Sequence, residues 1–451
     1  MAQLSEAIAR YHKLLEENGY RDLSWAEELQ NRMRDQGLTV SGRPIAPILR
    51  PQFISRRQLD TLTRATHQLA SILDRVETLA LQSPALLNRL GVLPAEKMLA
   101  AISPGYSRCS VTSCLDAKLQ NGSLSLCGYQ TCRPKALAYS EPLADLFLNL
   151  PIVKSFKRGR YKLSKVGQAD SLSRSMLDIW KEWGGGRRQP NIAVVEFASG
   201  AGTSSNEGQL LANLFSQSGL PSRVLSPEDL EYSNGKLHAR DFAVDLVFRR
   251  FGTAELLAHF DLSHPLLAAY RDHAICMVNS FRSDIAHRRS LFELLTDESV
   301  TAHLPLDDRK LISRFVPWTR IIAHKKTKYG GQEIDLTEFI LRNRPKLVLR
   351  PNQDSIEHPM YIGAEMTQSA WEGALRDAFR YSYVAQEHSC CGREPVPVFQ
   401  YGELHIKDAE VCVHPQILSG KLRGASATLE TSASGYATPL AIAPVLVLEK
   451  T

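Results

Sequence analysis

The hydrophobic period of this chain changes at Ser103-Pro104-Gly105, and that change constrains its fold class more than any other feature. Before it, apolar residues recur every three to four positions. Leu4, Ile8, Tyr11 and Leu15 share one helix face, and Leu59, Leu62, Leu69 and Ile72 do the same within 56–78. After it, 109–119 and 123–132 have strand character around Asn121-Gly122, a dipeptide suited to a two-residue hairpin turn because both positions need positive φ. Helical spacing returns at 143–149 and 171–183, and Gly184-Gly185-Gly186-Arg187-Arg188 marks a linker. Strands at 192–197, 223–225 and 243–248 then surround a helix at 208–218. Further on, strands at 274–278, 346–349 and 383–386 mix with helices at 284–295 and 368–380. The pattern predicts an α+β chain. Its 451 residues exceed one hydrophobic core, so two or three domains are expected.

Charge and composition exclude several classes. The net charge of +6 is spread without any long Lys/Arg block, which argues against a nucleic-acid surface. The most apolar run, 439–448, is too short to span a bilayer and carries two prolines. The N-terminal residues are charged throughout and lack the apolar stretch of a signal peptide. Neither a membrane nor a nucleic acid is expected as a partner. Eight cysteines in such a chain are expected to be mostly reduced thiols, in the cytoplasm.

Seven phrases follow one another in a telling order. They are Val244-Asp245-Leu246-Val247-Phe248-Arg249-Arg250, His264-Pro265-Leu266-Leu267, Cys276-Met277-Val278-Asn279-Ser280-Phe281-Arg282 and His287-Arg288-Arg289. Pro317-Trp318-Thr319-Arg320, Leu347-Val348-Leu349-Arg350-Pro351-Asn352 and Tyr383-Val384-Ala385-Gln386-Glu387 complete the set. The ordered set, from about residue 100 to the C-terminus, resembles the circularly permuted ATP-grasp proteins, the glutathionylspermidine-synthase-like carboxylate–amine ligases. The resemblance implies an N-terminal helical region (1–100) and a hairpin-and-helix part of the permuted core (101–183). It also implies a Rossmann-like half-domain (190–270) and an ATP-grasp domain (271–451).

In such ligases ATP phosphorylates a carboxylate and an amine displaces the phosphate. The implied cofactors are ATP and magnesium. The resemblance puts the phosphate cation at Arg350, followed by Asn352, where the family usually has lysine before Pro-Asn. It puts the adenine hinge at Gln386-Glu387 and a basic residue facing ATP at Arg288. Three parts depart from the pattern. The segment 353–360 should be a glycine-rich phosphate loop, in which only glycine lets backbone N–H groups approach closely, yet it holds Asp354 and Glu357 and no glycine. Gly128-Tyr129-Gln130-Thr131-Cys132-Arg133-Pro134 stands where magnesium's Glu and Asn are expected. Val411-Cys412-Val413-His414-Pro415 replaces a second ligand phrase with a thiol and an imidazole.

Other metal arrangements follow from the residues. Cys109, Cys114, Cys127 and Cys132 flank the turn. With a two-residue turn, opposed residue numbers sum to 243, which puts Cys114 and Cys127 on one face and Cys109 and Cys132 on the other, unless a bulge intervenes. Four-cysteine zinc is therefore not expected. Cys132, Cys412 and His414 fall near the implied magnesium positions and form a candidate soft-metal set. Cys390-Cys391 is expected in a loop. A strand ending at Glu196 and entering Ala198-Ser199-Gly200-Ala201-Gly202 resembles a nucleotide or S-adenosylmethionine motif, with Glu228 or Asp229 as the ribose acid. Three functions follow: a degenerate ATP-grasp homologue that serves as a partner or binding subunit, with an intact paralogue or another biosynthetic enzyme as partner; a working ligase with metal ligands relocated to Asp116, Asp245, Asp408 or Glu410; and a Cys/His metal or redox protein.

Overall fold

The computed structural model describes residues 2–120, 123–167, 170–197, 206–353, 358–389, 393–430 and 441–451. The hairpin tip Asn121-Gly122, the glycine loop from Ala198 to Gly202, Asp354 with Glu357, and Cys390-Cys391 lie outside these residues. The chain is α+β, and among the described residues no helix is long and apolar enough to cross a membrane.

The largest sheet joins the two ends of the chain. Its path runs Gln52–Ser55, Ala441–Lys450, Lys421–Glu430, Glu403–Leu418, Thr112–Gln120, Ser123–Gln130. Arg393–Gln400 and Tyr161–Lys165 pair alongside it. The long strand Glu403–Leu418 pairs with Arg393–Gln400 through its first half and with the hairpin strand through its second. The sequence reading did not find these C-terminal strands. Their turns are Tyr401-Gly402 and Ser419-Gly420, all four at positive φ, so hairpins form there without the Asn-Gly signal.

Helix Arg56–Gln82 lies on this sheet. Ser55 and Gln58 close its first turn as a capping box, and Leu62, Leu69, Ile72, Leu73 and Val76 are buried. These residues share one buried cluster with Leu115, Leu126, Val413, Ala427 and Leu446 of the sheet, so the N-terminal helices have no core apart from it.

A second sheet is parallel, in the order Cys276–Val278, Leu246–Arg249, Ile192–Val195, Ser222–Leu225. Strands Cys276–Val278, Leu246–Arg249 and Ile192–Val195 are buried throughout, as parallel strands covered on both faces must be, while the edge strand Ser222–Leu225 is partly exposed. The expected linker glycines do more than connect. Gly184 ends helix Ser171–Trp183 at φ +104, and a Cβ on Gly185 would stand 1.9 Å from the Trp180 ring. A third, antiparallel sheet runs Thr319–Ile321, Tyr383–Glu387, Leu347–Pro351, Tyr361–Ile362, and helix Gln368–Arg380 buries Trp371 against it.

The expected helix at 284–295 is two short ones, Ser283–His287 and Leu291–Leu295. The break at Arg288 to Ser290 has a cause outside the segment. The backbone N–H of Arg289 donates to the carbonyl of Asn352, and that of Ser290 to the Asn352 side-chain oxygen. Tertiary bonds here replace helical ones.

Candidate functional site

The large sheet and the antiparallel sheet face each other across a cavity of about 760 Å³, its mouth included. Alternation puts Asp116 and Lys118 of one hairpin strand on the cavity side, with Cys127 opposite. Glu410 and Cys412 of Glu403–Leu418 follow, then Thr428 and Glu430 of the next strand. The facing wall is Val348, Arg350, Ile362 and the segment from Gln386 to Ser389. Hinge and cation positions expected from the sequence therefore share one cavity with the hairpin.

Asp116 is its electrostatic centre. The hairpin keeps the expected register from Gln120↔Ser123 to Ala117↔Leu126, then bulges, so that Asp116 faces Gly128. A Cβ on Gly128 would lie 2.3 Å from the Asp116 carboxylate. The carboxyl group thus occupies, from the neighbouring strand, the space a side chain at 128 would fill. Lys135 Nζ lies 3.5 Å from Asp116 Oδ1, His414 Nδ1 2.9 Å, and Arg350 Nη2 3.8 Å from Oδ2. Burial alone would raise this carboxyl, but Lys135, His414 and Arg350 outweigh it and hold it well below the usual range. Burial and Lys135 in turn lower His414. Glu430 is raised, first by burial. Gly128→Ala should push the Asp116 carboxylate out of place and cost about 1–3 kcal/mol, the usual penalty for overpacking; thermal unfolding of the variant checks it.

Arg350 crosses the cavity. Besides Asp116, it donates to the Cys127 carbonyl at 2.8 Å and to Gln386 Oε1 at 3.2 Å. Gln386 is buried and donates onward to Thr319 Oγ1. Glu387 accepts from Tyr329 Oη at 2.7 Å and from the Trp318 backbone N–H at 3.1 Å. Lys118 Nζ reaches the Ser389 carbonyl at 2.8 Å, tying the two walls together.

Two expected site residues lie elsewhere. Arg288 is buried and pairs with Glu96 at 2.5 Å, so it anchors the N-terminal helices. Asn352 is buried and donates to the Leu90 carbonyl while holding Ser290, which makes it a strut rather than a cavity group. Cys132 also departs from its expected set. Its thiol donates to Asp284 Oδ1 at 3.0 Å, behind the hairpin, and burial raises its pKa. Among the described residues, Cys412 and His414 instead form a group with Asp116, all ligand atoms lying within 4.8 Å of one another. Cys114 is pushed up to about 12 by burial and by Asp116.

Of the acids named as relocated ligands, Asp116 and Glu410 line the cavity. Asp245 pairs with Arg188 at 2.7 Å and Asp408 with Arg393 at 2.7 Å, both away from it. Glu196 pairs with Arg250 at 2.8 Å, and Glu207 joins the same guanidinium, so the acid before the glycine loop is engaged. Sequence reasoning missed Lys118, Lys135 and Glu430. Lys118 was within reach, because it sits two residues from Asp116 on a strand.

Magnesium needs several hard oxygen ligands. The donors nearest Asp116 are a thiol, an imidazole and two protein cations, so this set does not fit magnesium.

No protein-family model and no curated protein matches the sequence. Solved structures do. A glutathione synthetase-like effector from Globodera pallida, in apo form, superposes with a TM-score of 0.62 at 12% identity, covering 94% of this chain and 97% of that one. A protein assigned as a gamma-glutamylcysteine synthetase from Methylobacillus flagellatus KT gives 0.42 at 11% identity, covering 80% and 88%. An ATP-grasp RimK domain protein from Sphaerobacter thermophilus gives 0.29 at 14%, covering 56% and 90%. The last two superpose too loosely to carry an argument. The first shows a shared fold along nearly the whole of both chains, in agreement with the ATP-grasp ligase resemblance of the ordered phrases.

Proposed function

We propose that this chain, with the fold of a glutathione synthetase-like protein, is a carboxylate–amine-ligase-type homologue whose cleft has lost magnesium-dependent phosphoryl transfer. It acts as a binding or partner subunit, with an intact relative of the same fold as the partner class. The pairing of the hairpin with a strand some 300 residues later supports a circularly permuted order within the four regions expected from the sequence. The observation that carries the functional reading is the condition of Asp116. It fills the space above Gly128, where the resemblance expects magnesium's glutamate, and the cations of Lys135 and Arg350 neutralise it beside the His414 imidazole.

One observation favours the alternative of an active ligase with relocated ligands: Asp116, Glu410 and Glu430 line a single cavity. Calorimetry with ATP, with and without magnesium, separates the two. The expected result is weak or absent Mg·ATP binding; submicromolar, magnesium-dependent binding with turnover would restore the ligase. Whatever nucleotide binding is measured, Arg350→Ala should weaken it by about 1.5–3 kcal/mol, the worth of a charge-assisted hydrogen bond. An unchanged affinity would remove Arg350 from the phosphate site.

A further inference from the structure

The donor set that does not fit magnesium suits a softer ion. Cys412 and His414 are two apart on one strand and share its face; Asp116 comes from the strand hydrogen-bonded beside it. His414 is fully buried. Its Nε2 lies 2.9 Å from Thr428 Oγ1, the kind of outer contact that fixes the orientation of a ligating imidazole. Its Nδ1 lies 2.9 Å from Asp116 Oδ1 but outside hydrogen-bond geometry. A buried ring nitrogen close to a carboxylate without bonding it, with a thiol beside both, is the arrangement that a bound cation completes.

We propose that Asp116, Cys412 and His414 bind one borderline-soft divalent cation, zinc(II) by ligand chemistry. Thiolate, imidazole and carboxylate are zinc's ligands, and three of them leave a fourth, open position. Here that position faces the cavity. Tetrahedral binding at about 2.0–2.3 Å puts ligand atoms roughly 3.3–3.8 Å apart, inside the 4.8 Å spread of the group. Cys132, expected from the sequence to complete the set, is replaced by Asp116. Binding releases the Cys412 thiol proton to solvent and leaves the metal's oxidation state unchanged. Lys135 and Arg350 compete for Asp116. Lys135 has a side chain 40% exposed, which leaves it room to swing out.

Cobalt(II) is the probe, added to the chelator-treated full chain under reducing conditions. One equivalent should bind and give a thiolate-to-cobalt charge-transfer band, and zinc(II) should displace it. Cys412→Ser should abolish the band and weaken binding at least about tenfold, in the range seen when ligand sets are disturbed. Cys276→Ser, in the parallel sheet, should leave both unchanged. Lys135→Ala should tighten binding by about tenfold, because it removes a like charge beside the ion. A purely structural role for Lys135 would not produce that gain. Failure of the wild type to bind one equivalent, or a band that survives Cys412→Ser, overturns the proposal. Magnesium-dependent ATP turnover would end the reading of the cleft as inactive and leave this site standing.

Discussion

Arg249→Met should destabilise the chain by about 3–5 kcal/mol, the usual cost of breaking a buried ion pair by removing one partner. Arg249 lies beneath the hairpin with its side chain 1% exposed. It bonds Asp284 Oδ1 at 2.5 Å and donates to the carbonyls of Asn279, Phe251 and Ser280. Methionine fills the volume but leaves a buried carboxylate and three carbonyls without this donor. Urea unfolding at neutral pH checks the value, and an unmoved midpoint would contradict it. Asp284 gives the same pair a pH signature. Burial would raise its pKa, but Arg249 and Thr253 bring it down to about 2. A depressed folded pKa stabilises above the unfolded value of about 3.9. That contribution, about 2–3 kcal/mol, is therefore fully present at neutral pH and lost as pH falls from about 4 through 2. The stability gap between wild type and Asp284→Asn should narrow over that window; a gap independent of pH would mean the pair does not titrate this way.

Asn279→Ala should cost about 3–5 kcal/mol, because several buried backbone groups lose their partner together. Its side-chain oxygen accepts from the backbone N–H groups of Val111 and Thr112, and its amide donates to the carbonyls of Thr112 and Thr131. One side chain, on the residue that follows strand Cys276–Val278, thereby fixes both ends of the hairpin that carries Asp116. Asn279→Asp is the sharper variant: it keeps the acceptor but sets a buried carboxylate against the two carbonyls the amide served, so it should cost at least as much. If both substitutions leave thermal unfolding unchanged, the hairpin is held by something else.

The two residues also show that a phrase can carry a fold without marking a ligand contact. Asn279 and Arg249 belong to phrases that carry the resemblance, and both are struts. Asn352 and Arg288, expected at the nucleotide, are struts as well. A phrase records that a residue type matters at a position. It does not say whether the side chain meets a ligand or the protein's own backbone.

Local chemistry made much of the fold legible. Helices Ser171–Trp183 and Gln368–Arg380 were readable to the residue, because amphipathic spacing and their terminal signals agree. The hairpin followed from Asn-Gly and strand pattern. The C-terminal strands were missed because Tyr-Gly and Ser-Gly are weaker turn signals than Asn-Gly. The helix at 284–295 was joined where Asn352 divides it, and no local window contains that residue.

The sequence by itself determined the α+β class, the ATP-grasp resemblance and the residue types that depart from its pattern at 128, 130 and 412, since each depends on residue identity and order. Only the tertiary structure decided what stands beside them. Asp116 reaches the space above Gly128 because a single bulge moves the hairpin register by one residue. Cys412 and His414 meet it because a strand some 300 residues later pairs alongside. Cys132 leaves the set because Asp284 claims its thiol. Each outcome is set by pairing between distant segments, and spacing along the chain carries no information about which distant strands will lie side by side.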